Sequence, residues 1–167
     1  SFATSLASGT DRHFFFVFPH YLENGIEFGL LDGAMLPYPG YSALAATTSL
    51  LGEALYLGAV PLGGTGTHAL AFDNGAGTTV LAWRDGEPAT VELPAALRAA
   101  RVCNCVGAEQ RAAVSSDGTL TLGQSPVFLV LKSGAAVPVA GGPLATRKKV
   151  AARRVPAPTV VLPVNLT

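Results

Sequence analysis

Side chains able to do chemistry crowd into one short stretch of this sequence. His13 and His20 bracket the aromatic run Phe14, Phe15, Phe16 and Phe18, and Tyr21, Glu23, Glu27 and Asp32 follow within a dozen residues. An aromatic and β-branched run of this kind predicts a strand buried on both faces. Leu22-Glu23-Asn24-Gly25 then reads as a loop, residues 26–35 as a hairpin-like segment, and Pro39 as the opening of a helix. Strand, elaborate loop and helix make one βα unit, in which the loop at the strand's carboxyl end is the usual place for functional side chains. His20, Tyr21 and Glu23 stand at that end, and His13 stands at the other.

Other reactive groups are sparse. Cys103 and Cys105 are the two cysteines, spaced Cys-Asn-Cys. On a strand they would share a face, a spacing that suits neither a relaxed disulfide nor a tetrahedral metal site without further ligands. They read as buried free thiols, and no metal or other cofactor is expected; ligation with His68 or His20 has no supporting spacing. His68 falls on a strand-like run and reads as structural. Trp83, the single tryptophan, offers a stacking surface but sits in an apolar run that favours a core role. Ser1 could serve as an N-terminal nucleophile only at the start of a strand, and residues 1–9 have helical spacing instead.

The elements around these residues divide at about residue 53. Before it, Gly9 stops the first helix, and a second helix runs from about residue 38 with Tyr41, Leu44, Ala45, Thr48 and Leu51 as its expected apolar side. After it come short strand-like runs at 56–60, 68–72, 78–83, 89–93, 101–106, 112–114, 119–122 and 127–131. Gly- and Asp-rich turns such as Asp73-Asn74-Gly75 and Ser116-Asp117-Gly118 separate them. Short strands at this spacing without crossover helices predict an antiparallel sandwich or barrel. From residue 135 the pattern gives way to a Pro/Ala/Val-rich stretch with Arg147-Lys148-Lys149 and Arg153-Arg154, read as a basic, partly docked tail with an edge strand at 159–162.

Composition narrows the classes of partner. Net charge is zero, and charged residues are 13% of the 167, about half the usual share. A balanced chain gives no electrostatic ground for nucleic acid, and no apolar run reaches the ~18–20 residues of a membrane helix. A charge-poor surface instead implies packing against further polypeptide.

The order of elements resembles the carboxyl-terminal part of the retaining clan A glycoside hydrolases. The resemblance rests on several pieces: the helix-like 1–9, the strand-like 13–18, and Pro37-Tyr38-Pro39 leading into Tyr41-Ser42-Ala43-Leu44. Leu50-Leu51-Gly52, Tyr56-Leu57-Gly58, Leu81-Ala82-Trp83, Asp117-Gly118-Thr119-Leu120-Thr121-Leu122 and Ser125-Pro126-Val127-Phe128-Leu129 complete it. It covers about three-quarters of the chain. It implies an α+β fragment: the last portion of a (β/α)8 barrel over 1–52, an antiparallel accessory β-sandwich over 53–134, and the tail over 135–167. It also implies glycosidic-bond hydrolysis by a two-carboxylate retaining mechanism, with both glutamates upstream of Ser1, so that this chain would be inactive by itself.

The partners implied are an oligo- or polysaccharide and the remainder of the barrel, in the same precursor or another chain, and secretion is somewhat favoured. Where such enzymes often end the eighth strand in tryptophan, this chain has Pro19-His20-Tyr21. His20, Tyr21 and Glu23 are therefore the expected sugar contacts, with no catalytic residue in the chain. Glu23 and Glu27 would need to stand about 5 Å apart on rigid supports to act as the pair themselves, and loop solvation is the simpler reading. The alternative is a non-catalytic β-sandwich module, carbohydrate-binding or structural, docking on a partner through its N-terminal arm.

Overall fold

A computed structural model describes residues 2–10, 13–14 and 17–140. Helix α1, Phe2–Ala7, ends as expected at Gly9, whose φ of 76° lies in the left-handed region. The aromatic stretch departs from expectation. His13, Phe14 and residues 17–20 belong to no strand, and Phe14 is 82% exposed. A strand needs a neighbour for its backbone N–H and C=O groups, and no described segment pairs with this one. Its one described ladder-like tie is Leu30 N donating to Phe18 O at 3.2 Å.

The hairpin forms one turn earlier than the sequence suggested. Strands β1, Tyr21–Glu23, and β2, Ile26–Phe28, pair antiparallel around Asn24 and Gly25. Both turn residues have positive φ, 51° and 75°, the requirement of the two-residue turn that matches strand twist. In the following loop Asp32 Oδ1 accepts from the backbone N–H of Ala34 and Leu36, at 2.9 and 2.8 Å. This delivers the chain to helix α2, Pro39–Leu51, which begins with proline in its first turn.

The buried side of α2 is rotated from the expected one. Ala43, Leu44, Ala46, Thr47, Leu50 and Leu51 turn inward, while Tyr41, Ala45 and Thr48 are exposed. Alanine and threonine contribute so little apolar contrast that adjacent faces of this helix are nearly equivalent by sequence. Leu44 and Leu51 are common to both, and the packing of Ala46 and Leu50 against the second core sets the observed one.

Beyond Gly52 the strand expectations hold closely. Five strands form an antiparallel sheet in the order β3-β4-β5-β9-β7: Leu55–Ala59, Thr67–Asp73, Gly77–Arg84, Val127–Lys132 and Arg101–Cys103. Strands β6, Ala89–Glu92, and β8, Thr119–Leu122, form a separate pair. The run at 112–114 is not a strand: Ala112 takes φ 57°, and Ala113 and Val114 pack against the interior as loop residues. The central strand β5 is buried over Gly77 to Ala82, as expected of a strand covered on both sides.

Alternation along the strands sends side chains to two cores. Ala69, Ala71, Val80, Ala82, Val102 and Leu129 meet Val91, Leu120 and Leu122 of the β6–β8 pair. On the opposite face Phe72, Leu81, Cys103 and Phe128 pack against Ala3 of α1, Leu51 of α2 and Ala54. The region is therefore compatible with a sandwich whose larger sheet also carries helices on its outer face. Residues 135–140 run along the first core, with Ala140 N donating to Ala59 O at 2.7 Å. The basic clusters and the strand expected at 159–162 lie outside the described residues.

Candidate functional site

Three sequence-derived residues, His20, Tyr21 and Glu23, lie on and beside the β1–β2 hairpin. Cross-strand pairing sets Tyr21 opposite Phe28 and Glu23 opposite Ile26, so these four side chains share one face. The Tyr21 and Phe28 rings lie 6.3 Å apart, tilted by 44°. This makes an aromatic ledge with a carboxylate beside it. His20 precedes the strand, half-buried and directed toward Gly33, and no described group hydrogen-bonds its Nδ1, which is shielded from solvent.

Glu27 projects from the other face, opposite Leu22. Its Oε2 accepts from the Tyr38 hydroxyl at 2.6 Å, joining the hairpin to the residue before α2. That hydrogen bond is the main reason the Tyr38 hydroxyl is held above its ordinary pKa, with smaller contributions from burial and from the Glu27 and Asp32 charges. Opposite faces and a committed Glu27 carboxylate make Glu23 and Glu27 unsuited to act as a catalytic pair. Sequence reading missed Phe28 and Tyr38. Both become legible once Asn24-Gly25 is recognised as a hairpin turn, because alternation then assigns Phe28 to the Tyr21 side and Glu27 to the other.

The remaining histidines have structural ties. His13 Nδ1 lies 3.0 Å from Ser5 Oγ, and its ring meets Phe2 edge-on at 5.6 Å. His68 pairs with Asp85 at 2.8 Å and stacks on Trp83, centroids 4.9 Å apart and planes 18° apart. Cys103 is buried and receives a hydrogen bond from Arg101 at 3.1 Å, while Cys105 is half-buried; both are free thiols. Among the described residues no group of three or more His, Cys, Asp or Glu side chains could hold a metal ion, and no helix is long and apolar enough to cross a membrane.

Large apolar side chains are exposed around the same hairpin. Phe14, Phe18, Leu22, Ile26, Met35 and Leu36 are each more than half exposed and fall within 23 residues of one another, from 14 to 36. Exposed large apolar side chains in such number suit contact with further polypeptide.

Taken together, the chain is an α+β protein dominated by antiparallel sheet, with an aromatic hairpin at one side. No family model matches its sequence, and no curated protein matches it. Among solved structures it is similar to a family 39 glycoside hydrolase from the gut symbiont Bacteroides cellulosilyticus WH2. Identity is 27%, the match covers 64% of this chain, and the TM-score is 0.53. The chain spans 22% of that protein's length. The likeness supports a relation to glycoside hydrolases, which is the coarse form of the expectation drawn from the ordered motifs.

Proposed function

We propose that this chain is the carboxyl-terminal part of a retaining, barrel-type glycoside hydrolase. Residues 1–52 supply the last portion of the (β/α)8 barrel, 53–134 the accessory β-sandwich, and 135–167 a tail. The catalytic carboxylates lie outside the 167 residues: one protonates the leaving oxygen and the other attacks the anomeric carbon. His20, Tyr21 and Glu23 contact the sugar from the loop after the last strand. The likeness to a glycoside hydrolase is the observation that carries this reading. Its physical support is the exposed apolar surface at 14–36, which the remainder of the barrel would cover.

Within such a site the hairpin has a definite task. The Tyr21–Phe28 ledge offers two tilted aromatic rings to the C–H face of a sugar ring. Glu23 accepts hydrogen bonds from ring hydroxyls, and the His20 imidazole approaches the sugar from beside the hairpin. The Glu27–Tyr38 hydrogen bond holds the hairpin against the start of α2 while these contacts form.

The test is hydrolysis of a panel of aryl glycosides, followed by NMR assignment of the first-formed anomer. The 167-residue chain alone should be inactive, and the larger polypeptide containing it should hydrolyse with retention. Turnover by the 167 residues alone, or an inverted product from the larger enzyme, would overturn the proposal. One observation favours a non-catalytic carbohydrate-binding or structural module instead: the core between the two sheets is built entirely from residues beyond 52. Polysaccharide binding that survives deletion of 1–52 would support that second reading.

A further inference from the structure

Trp83 is half-buried and packs against the second core. It lines a cleft of about 540 Å³ between the two helices and the outer face of the five-stranded sheet. Leu81, Pro126 and Phe128 form its apolar floor, and Thr47 and Gln124 add uncharged polar groups. Its volume falls within the range of small-molecule sites, about 300–1,000 Å³, and an apolar wall with a few polar groups is their usual make-up. The indole is also fixed in place. His68 stacks on it without itself lining the cleft, and Asp85 holds His68 at 2.8 Å.

We infer that this cleft is a binding site for a neutral oligosaccharide, with Trp83 as its stacking surface. The argument for a neutral ligand is the lining itself, which among the described residues contains no Asp, Glu, Lys or Arg; His13, hydrogen-bonded to Ser5, is the one described imidazole. An ionic ligand placed there would lose its hydration without gaining a counter-charge. A sugar presents an apolar C–H face to the indole and hydroxyls to Gln124 and Thr47. The choice of carbohydrate over other neutral amphiphiles rests on the proposed relation to sugar hydrolysis; the position and neutrality of the site do not. The cleft opens on the helix–sheet side and shares no residue with the β1–β2 hairpin.

Because Trp83 is the single tryptophan, its emission reports the cleft directly. The 167-residue chain would be titrated with cellotetraose, xylotetraose and maltotetraose, and with tetragalacturonate as the charged counterpart. Saturable change in Trp83 emission is expected with at least one neutral tetrasaccharide and not with tetragalacturonate. Trp83→Phe should weaken binding by roughly tenfold or less, as expected for exchanging one aromatic contact for a smaller one, measured by calorimetry because the probe is lost. Gln124→Ala keeps the probe and should weaken binding several-fold.

Three results would overturn the inference: no emission change with any neutral sugar, equal binding of the charged oligomer, or neutral-sugar binding unaffected by both substitutions. Such failure would leave the hydrolase proposal standing, since that is decided by turnover at carboxylates outside this chain. Conversely, an inactive parent polypeptide would not abolish emission changes at Trp83.

Discussion

Leu51 closes the last turn of α2 and is fully buried against Phe72, Leu81, Cys103 and Phe128, so it is the main bolt between helix and sheet. Leu51→Ala removes three carbons from a packed interior. Measured losses for buried leucine-to-alanine changes run from about 2.7 to 5 kcal/mol, the upper values belonging to sites that cannot collapse. Here the helix terminus at Gly52 allows some closure, so about 3 kcal/mol is the appropriate expectation. That is a large share of the roughly 5–15 kcal/mol by which a domain is stable.

With an m-value of about 2 kcal/mol/M for a small domain, the urea midpoint should fall by about 1.5 M. Two probes should follow the transition: Trp83 emission for the sheet and far-ultraviolet circular dichroism for the helices. The two curves should move together. Leu55→Ala, at a residue about half exposed, should shift the midpoint by less than about 0.5 M. A helix signal that shifts while Trp83 emission does not, or a Leu51→Ala midpoint within error of wild type, would refute the packing of α2 on this sheet.

Two further outcomes follow from local geometry. A side chain at Gly77 would bring its Cβ within 2.2 Å of Leu131 O on the adjacent strand, so Gly77→Ala should force β5 and β9 apart and lower the thermal midpoint by several degrees. Asp117 Oδ1 accepts from both the hydroxyl and the backbone N–H of Thr119, at 2.8 and 3.1 Å, and these bonds hold its carboxyl below the ordinary value of 3.8. A depressed carboxyl stabilises the fold above its unfolded pKa, and that contribution disappears as pH falls through the lower folded value. Asp117→Asn should therefore flatten the acid limb of stability against pH, read from urea midpoints between pH 2 and 7, while leaving the alkaline limb unchanged.

What could be read from the sequence was local. Strand β8 runs over the expected residues 119–122, because Ser116-Asp117-Gly118 and Gly123 mark its ends unambiguously. The proline-led start of α2 and the glycine that stops α1 were legible for the same reason. Expectations failed where partners decide. In the run from 13 to 18 the described residues, 13, 14, 17 and 18, form no strand, since strand composition cannot by itself supply a neighbouring edge. Ala112 to Val114 is apolar enough for a strand, but a left-handed Ala112 turns it into a loop that still reaches the core.

The candidate site divides along the same line. Tyr21 and Glu23 were identifiable from their place in the chain, whereas the Phe28 ledge required the hairpin register. The Trp83 cleft was hidden from sequence because its walls come from α1, α2, β5 and β9, brought together only by the second core. Trp83 in an apolar run looks like core by composition. Only the packing of the helices over part of the sheet leaves its surface open.

The most direct measurement of the central claim is the intact mass, under denaturing conditions, of the natural polypeptide that carries these residues, with peptide sequencing of whatever precedes Ser1. The account predicts a larger chain, or a second one that co-purifies, supplying the other barrel strands and two strand-end glutamates. A mass near 17.0 kDa with no accompanying polypeptide would contradict it.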